Sequence, residues 1–462
     1  MKTFSINTLG CKVNQYETQQ IHELLEQLGL HNCEPPKKPD LVVINTCCVT
    51  HTASAKSRQY IRKAQKLSPD AAVVVCGCLP TVQTNELNNI SKNVHLVGDR
   101  KNLAETLNQI AHGNAAAPYF QSPQSSLNIS TIIKAENDSK IKFKKELNNH
   151  LKLPPLTSFK SQTRAFLKVQ DGCDGYCSYC IVPKTRPFVH NKPVKAVIRE
   201  AKSLVKAGHR EIVVTGVFLG AYGQESVRRK NWPSRQNDKL AILLDKMAKI
   251  PDLARIRLSS LEPADVTPEL LDIFCKHPNI MPHLHLSLQS GSDAILKKMC
   301  RQYNSDVFRE KIEFAKLYLD RPAITTDIIV GFPGETDDDF EQTVGLAKDI
   351  GFAKMHVFSF SPRKGTAAAN MQSRVNIKTI KERSKILHRL NIELSQKFQQ
   401  QFIGETAEIL LEKDDGQICG RTERYFLVYL EKTGKKLYKN DLIRTKLIRY
   451  GNHGMYGDVL QE

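Results

Sequence analysis

Between residues 165 and 360 the chain repeats one pattern, a short apolar and β-branched run followed by a longer stretch with helical spacing. The runs are 165–170, 211–215, 255–259, 284–289, 323–330 and 354–360, with helical patterns such as 193–207, 239–249 and 306–319 between them. Strands joined through helices lie parallel and cross over right-handedly. Six such units are too many for a small open sheet and too few for a closed eight-unit barrel. A partial (βα)6 barrel is therefore expected over residues 161–399, with its working residues at the C-terminal strand ends.

The flanks read differently. Residues 1–112 alternate a strand at 4–8, a helix carrying Ile21, Leu24, Leu25 and Leu28 that stops at Gly29, a strand at 41–44, a helix at 53–67 and a strand at 72–75. That order predicts a small N-terminal α/β domain with a parallel βαβ sheet. Residues 113–160 are rich in Ala, Ser, Asn, Gln, Lys and Pro and carry little periodicity, as a basic linker would. Residues 400–462 hold short β segments at 406–411, 425–430, 442–448 and 456–460, the pattern of a small all-β barrel or sandwich. No apolar run approaches the ~18–20 residues of a membrane span, and the first residues lack the layout of a signal peptide. The expected location is cytoplasmic, with no membrane partner.

The formal net charge of +19 points to a polyanionic partner, most simply nucleic acid. Its distribution is uneven. Basic residues exceed acidic ones by 11 over residues 166–399 and balance them over 400–462.

Twelve cysteines in a cytoplasmic chain argue for metal or redox chemistry over a disulfide framework. Cys173, Cys177 and Cys180 lie on one loop directly after the first barrel strand. Three thiolates so placed can bind three irons of a [4Fe–4S] cluster and leave the fourth iron open. That iron can chelate S-adenosylmethionine (SAM), and Tyr179 is placed to contact its adenine. A structural zinc site is the alternative, but no second Cys or His pair follows at the usual spacing. A second set is more dispersed. The three N-terminal strands run into Cys11, Cys47 and Cys78, which a parallel sheet gathers at one edge. Spacing alone leaves open whether these three bind a second cluster or are buried thiols, and whether Cys48 or Cys76 replaces a neighbour. Cys33, Cys275, Cys300 and Cys419 read as ordinary thiols.

The segment Lys168–Arg186, KVQDGCDGYCSYCIVPKTR, resembles the signature of the radical-SAM methylthiotransferases, and the similarity runs over nearly the whole chain. The resemblance implies an enzyme that replaces a C–H bond by C–SCH3, with SAM as both methyl donor and radical source. It also implies a TRAM-like C-terminal domain and two [4Fe–4S] clusters, on Cys173, Cys177 and Cys180 and on Cys11, Cys47 and Cys78, the latter auxiliary cluster delivering the sulfur. The family's SAM contacts come from the barrel strand ends, here Thr215, Gly216, Ser260, Glu262 and Gln289, with Gly220, Gly223, Asp327 and Gly331–Glu335 beside them. The His283-x-His285 strand is one route to a metal site, but a polar barrel lining is the simpler reading. One departure is Arg186-Pro187, where the family usually has Arg-Gly. Another is Cys300-Arg301, where an Arg pair is common.

The opening motif TLGCKVNQYET, residues 8–18, resembles that of the enzymes that methylthiolate N6-threonylcarbamoyladenosine at tRNA position 37, in the anticodon stem-loop. The resemblance further implies a reducing electron-transfer protein and a sulfur donor as partners. Isopentenyladenosine in tRNA and a ribosomal-protein side chain are the competing substrates, and a non-catalytic iron–sulfur RNA-binding protein is the competing class. Phosphate contacts are expected from the linker and from the basic helix 374–389, containing Arg374, Lys378, Lys381, Arg383, Lys385 and Arg389. The loop 223–237, with four basic residues and the sole tryptophan, is a second RNA candidate or a solvated loop.

Overall fold

The computed structural model describes residues 1–34, 37–82, 93–113, 151–160, 162–231, 238–414, 416–433 and 436–460. Most of the expected linker, residues 114–150, lies outside them, as does part of the basic loop, residues 232–237. The chain forms two compact units, Met1–Leu156 and Thr157–Glu462.

The first unit is a five-stranded parallel sheet. It contains β1 (Thr3–Thr8), α1 (Lys12–Gln27), β2 (His31–Asn32), β3 (Leu41–Thr46), α2 (His51–Leu67), β4 (Ala72–Gly77), β5 (Val94–Leu96) and α3 (Leu103–Ala111). The strand order is β2-β1-β3-β4-β5. All six residues of β3 are buried, as expected of a central strand covered on both faces. Ile21 and Leu25 of α1 and Leu107 of α3 pack with Phe4, Leu41, Val43 and Val74 of the sheet. The edge strands β2 and β5 did not register in the sequence, because two or three residues carry no readable period.

In the second unit the parallel strands fall into two four-stranded sheets. The first is β7-β6-β8-β9 and the second β10-β11-β12-β13. Their ranges are β6 Ala165–Asp171, β7 His190–Asn191, β8 Glu211–Gly216, β9 Arg255–Leu258, β10 Ser260–Leu261, β11 His283–Leu286, β12 Ala323–Val330 and β13 Lys354–Ser359. The six expected strands are present, with two corrections. The third breaks at Ser259 into β9 and β10, and the fourth runs 283–286, not 284–289, because Gln289 adopts a left-handed backbone (φ 68°) that ends the regular ladder. The short β7 pairs antiparallel to β6.

The C-terminal segment is a closed five-stranded barrel, β14 (Thr406–Lys413), β15 (Cys419–Thr422), β16 (Leu427–Lys432), β17 (Leu442–Gly451) and β18 (Gly454–Val459), in the order β14-β15-β16-β18-β17. Strand β15 was not expected from its sequence, Cys-Gly-Arg-Thr, which lacks apolar alternation. The strand expected at 425–430 starts at Leu427, since Tyr425 takes φ 72° in the preceding turn.

That turn closes the end of the sheets where the strands begin. Arg255 and Arg257 of β9 are fully buried, and Glu211 at the start of β8 pairs with Arg257 (Nε to Oε1, 2.9 Å) and lies 3.9 Å from Arg255. The same guanidiniums donate to the carbonyls of Arg421 (3.0 Å), Thr422 (3.3 Å) and Glu423 (2.9 Å). The Tyr425 ring lies under Arg164, Arg257 and Arg421, at 4.6–5.1 Å from each, and 4.8 Å from the ring of His283. Catalytic space is thereby left to the opposite, C-terminal ends of the strands. Removing one member of a buried ion pair costs about 3–5 kcal/mol, because the partner charge stays buried. Glu211→Gln should lower stability by about that amount in denaturant titrations of the full chain, and Tyr425→Phe, which keeps the ring, by less than about 1.5 kcal/mol.

Candidate active site

The loop after β6 is fixed before its cysteines are used. Gly172 has φ 79°, and a Cβ there would lie 1.7 Å from the carbonyl oxygen of Phe188. The Cys173 amide donates to the carbonyl of Arg186 (2.8 Å). The Asp171 carboxylate accepts from Arg186 (2.6 Å), from Lys168 (2.6 Å) and from the Gly172 amide (2.9 Å). Arg186 thus braces the loop. Further on, Asp174 accepts from Ser226 (2.6 Å) and the Val227 amide (2.8 Å), while Arg228 donates to the Asp174 carbonyl and stacks on Tyr176 at 4.9 Å. Ser178 is tied to the carbonyls of Lys298 and Met299.

Cys173, Cys177 and Cys180 line one pocket together with Tyr179, Ser260, Glu262 and Gln289. Thr215 and Gly216, expected beside them, do not line it. Thr215 is buried, and the side chain of Gln170 closes the space over Gly216, its Oε1 accepting from the Phe218 amide (2.8 Å). Val217 and Phe218 line the wall instead. Tyr179 packs against a cluster formed by Ile295, Met299, Phe332 and Ala368.

Arg301 is the residue that sequence reasoning undervalued. Its Nη1 donates to Cys177 Sγ (3.1 Å) and to the Tyr179 hydroxyl (3.4 Å), its Nε donates to the Tyr303 hydroxyl (3.1 Å), and its Nη2 pairs with Glu262. Arg229 holds Asp265 (2.8 Å) and reaches Glu262 (3.4 Å), and Gly220 leaves room for the Asp265 carboxylate, which a Cβ would meet at 1.9 Å. Arg228 and Arg229, from the loop read as an RNA candidate or a solvated loop, are thus engaged within the site.

The electrostatics fit a metal cluster. Burial, with the neighbouring Cys180 and Cys177 adding to it, pushes the Cys173 thiol up to about 12. Burial also raises Cys177, against the pull of Arg301. Three thiolates can share this pocket only if a cation compensates them, which is what iron supplies.

A second cysteine set lies in the first unit. Cys11, Cys47 and Cys78 follow β1, β3 and β4, three adjacent strands about 4.8 Å apart. Cys11 is exposed and caps the start of α1, whereas Cys47 and Cys78 are buried. Gly10 (φ 105°) abuts Cys47, since a Cβ on it would lie 2.9 Å from the Cys47 sulfur. The Cys78 amide donates to the carbonyl of Thr46 (3.0 Å). Asn14, fully buried, ties the loops together by donating to the carbonyls of Leu9 (2.8 Å) and Thr46 (2.9 Å). Asn45 returns a bond to the Asn14 carbonyl (2.9 Å). Arg100 donates to Cys78 Sγ (3.4 Å) and lies 3.7 Å from the buried carboxylate of Glu17. Of the two alternatives, Cys76 points into the apolar core, where burial pushes its thiol up to about 12. Cys48 donates its thiol to the Cys78 carbonyl (3.3 Å).

With this geometry in view, residues 3–98 match the family described as "Uncharacterized protein family UPF0004", and residues 167–347 match the radical SAM superfamily. Over its full length the chain is 33% identical to the threonylcarbamoyladenosine tRNA methylthiotransferase MtaB of Bacillus subtilis, covering 98% of that relative. The chain belongs to the radical SAM methylthiotransferase family. The enzyme of the same name from Thermotoga maritima is 32% identical, with 96% of this chain and 95% of that one covered. A tRNA-2-methylthio-N(6)-dimethylallyladenosine synthase from Geobacillus kaustophilus is 30% identical, with 100% of this chain and 83% of that one covered. Among solved structures, the radical SAM methyltransferase TsrM from Kitasatospora setae shares the fold, with a TM-score of 0.53 at 14% identity over 80% of this chain and 77% of that one. Members of this family use SAM and [4Fe–4S] clusters, and the two cysteine sets are where these residues fit them. No helix among the described residues is long and apolar enough to cross a membrane.

Gly172→Ala places a methyl group inside the Phe188 carbonyl and should dismantle one site only. Iron analysis after anaerobic reconstitution should show about half the iron of the unaltered protein, as expected if each three-cysteine site holds its own four-iron cluster.

Proposed function

We propose that this protein methylthiolates C2 of N6-threonylcarbamoyladenosine at position 37 of tRNA. The observation that carries the reading is the end-to-end similarity to enzymes named for that nucleoside, on a chain that keeps both cysteine triads. In this reading Cys173, Cys177 and Cys180 hold the SAM-cleaving cluster and Cys11, Cys47 and Cys78 hold the sulfur-delivering one. When bound, these groups supply reductive cleavage of SAM and the sulfur atom. The protein orients and shields. Tyr179, partly buried on the cysteine loop, lines the pocket. Glu262, paired with Arg301 and reached by Arg229, places a carboxyl acceptor on the pocket wall, suited to hydroxyl donors of a bound nucleoside. Ser260 and Gln289 add neutral polar contacts. A reducing electron-transfer protein and a sulfur donor complete the turnover, in the cytoplasm.

The tRNA backbone has a candidate landing face on the helix Ile377–Gln400. Lys378, Lys381, Lys385 and Arg389 are exposed and spaced three or four residues apart, which aligns them on one side. Arg383 leaves the set: it is buried and bonded to Glu335 (2.6 Å) and Asp337 (2.6 Å), so it anchors the helix. Replacing the four exposed residues by Gln should flatten the salt dependence of tRNA binding by up to about 0.9 log units for each phosphate that is no longer neutralised. An unchanged slope removes the helix from the interface.

Nucleoside analysis of tRNA from a deletion strain tests the substrate. The expected result is loss of the 2-methylthio form of threonylcarbamoyladenosine alone, restored by the unaltered gene. A Cys11→Ala, Cys47→Ala, Cys78→Ala protein should not restore it, although it still cleaves SAM anaerobically. Loss of the isopentenyladenosine derivative instead would assign the competing substrate.

A further inference from the structure

We propose that His285, Asp327 and His356 form a binding site for a divalent first-row transition-metal ion, separate from the cluster cysteines. The three lie on adjacent parallel strands β11, β12 and β13, and their ligand atoms are all within 4.8 Å of one another. The register explains the convergence. His285 is the partner of Thr325 on β12, and Asp327, two residues on and so on the same face, is the partner of His356 on β13. His285 Nε2 faces Asp327 Oδ2 at 3.3 Å, and the two imidazole centroids are 5.8 Å apart.

The surroundings prepare His285 to ligate. Its Nδ1 lies 2.9 Å from the hydroxyl of the buried Thr325, which fixes the ring and turns Nε2 toward Asp327 and His356. A partner on the second ring nitrogen is the usual support of a metal-bound histidine. His283, the other histidine of the His-x-His strand, is excluded from the set, since it also meets the Thr325 hydroxyl (3.1 Å) and packs on Tyr425. Two imidazoles and one carboxylate suit zinc, iron, cobalt or manganese. Bonds of about 2.1 Å put tetrahedral ligand atoms roughly 3.4 Å apart, so small side-chain rotations close the triangle. Three protein ligands leave a coordination position open. That position would take an oxygen donor.

The test uses the full chain with its clusters loaded and oxidised, so that they are diamagnetic. Mn2+ is the probe, because thiolate-rich sites do not favour this hard ion. After incubation and desalting, electron paramagnetic resonance should show about one retained Mn2+ per chain, with electron spin-echo modulation from two imidazole nitrogens. His356→Asn and Asp327→Asn should lose the signal at unchanged iron content. Thr325→Val, which keeps the shape and deletes the hydroxyl, should weaken Mn2+ binding by about tenfold or more. The imidazole modulation is read on the unaltered protein and needs no variant to fold. No retained Mn2+, retained Mn2+ without imidazole modulation, or undiminished retention in His356→Asn would each overturn the site and leave a row of polar side chains.

Discussion

Bringing three thiolates together away from water is the constraint on which the second unit is arranged. Burial above all, with Cys180 and Cys177 beside it, holds the Cys173 thiol up at about 12, so thiolate is disfavoured there unless a cation compensates it. Metal binding therefore has to supply the charge that the protein withholds, and the loop must already be shaped when the metal arrives. The shape comes from a turn only glycine can make at 172, from a carboxylate at 171 that draws in Arg186 and Lys168, and from a second carboxylate at 174 seized by residues 226–228. Arg301 places a cation directly on the sulfur of Cys177, and the other triad has a counterpart in Arg100 on Cys78. Each of these arginines is also near a buried glutamate, Glu262 or Glu17. A hydrogen bond to a ligating sulfur withdraws electron density from the metal, and the glutamates fix each guanidinium in place.

The opposite end of the sheets shows the same economy with charge. Glu211, Arg255 and Arg257 would be costly in an apolar interior. Several of their donors are taken by Glu211 and by the carbonyls of residues 421–423, and the ring of Tyr425 lies against the Arg257 guanidinium. These polar contacts and an apolar cluster that includes Ala323, Ala353, Phe398, Ile409 and Leu447 together seat the β-barrel of the C-terminal segment. With that end closed, the opposite strand ends carry Cys173–Cys180, Ser260, Glu262 and Gln289.

Legibility in the sequence followed the length and regularity of the signal. Long apolar runs and helical periods revealed five of the six barrel strands to within a residue or two, and the three cysteine-bearing strands of the first unit. Two-residue strands such as His31–Asn32 and the polar β15 gave no period to read. At the site, cysteines announced themselves by spacing. Asn14, Arg100 and Arg301 did not, because their roles arise only when distant segments meet: Arg301 reaches Cys177 across 124 positions and Asn14 reaches Thr46 across 32. Thr215 and Gly216 stand outside the pocket lining for a related reason. A strand end is a good guess for a pocket wall, yet the neighbouring strand's Gln170 took the space, and no pattern within one strand can show that.

Residues 400–462 carry no net charge because ten basic residues are balanced by ten acidic ones. Arg421 pairs with Glu412, Arg449 with Glu431 and Arg424 with Asp320. The barrel surface carries exposed cations such as Arg444 and Lys446, and beside them a group of aromatic rings. Tyr429 and Tyr456 lie 5.6 Å apart, His453 stands 6.1 Å from Tyr429, and Arg449 covers Tyr456 at 4.2 Å. Partly exposed rings and a guanidinium plane are the groups on which unstacked bases rest, and that contribution needs no net charge. Phosphate attraction, by contrast, grows with the count of free cations, which the helix Ile377–Gln400 carries on one face. A charged helix face and a group of partly exposed rings thus lie on separate elements of one unit.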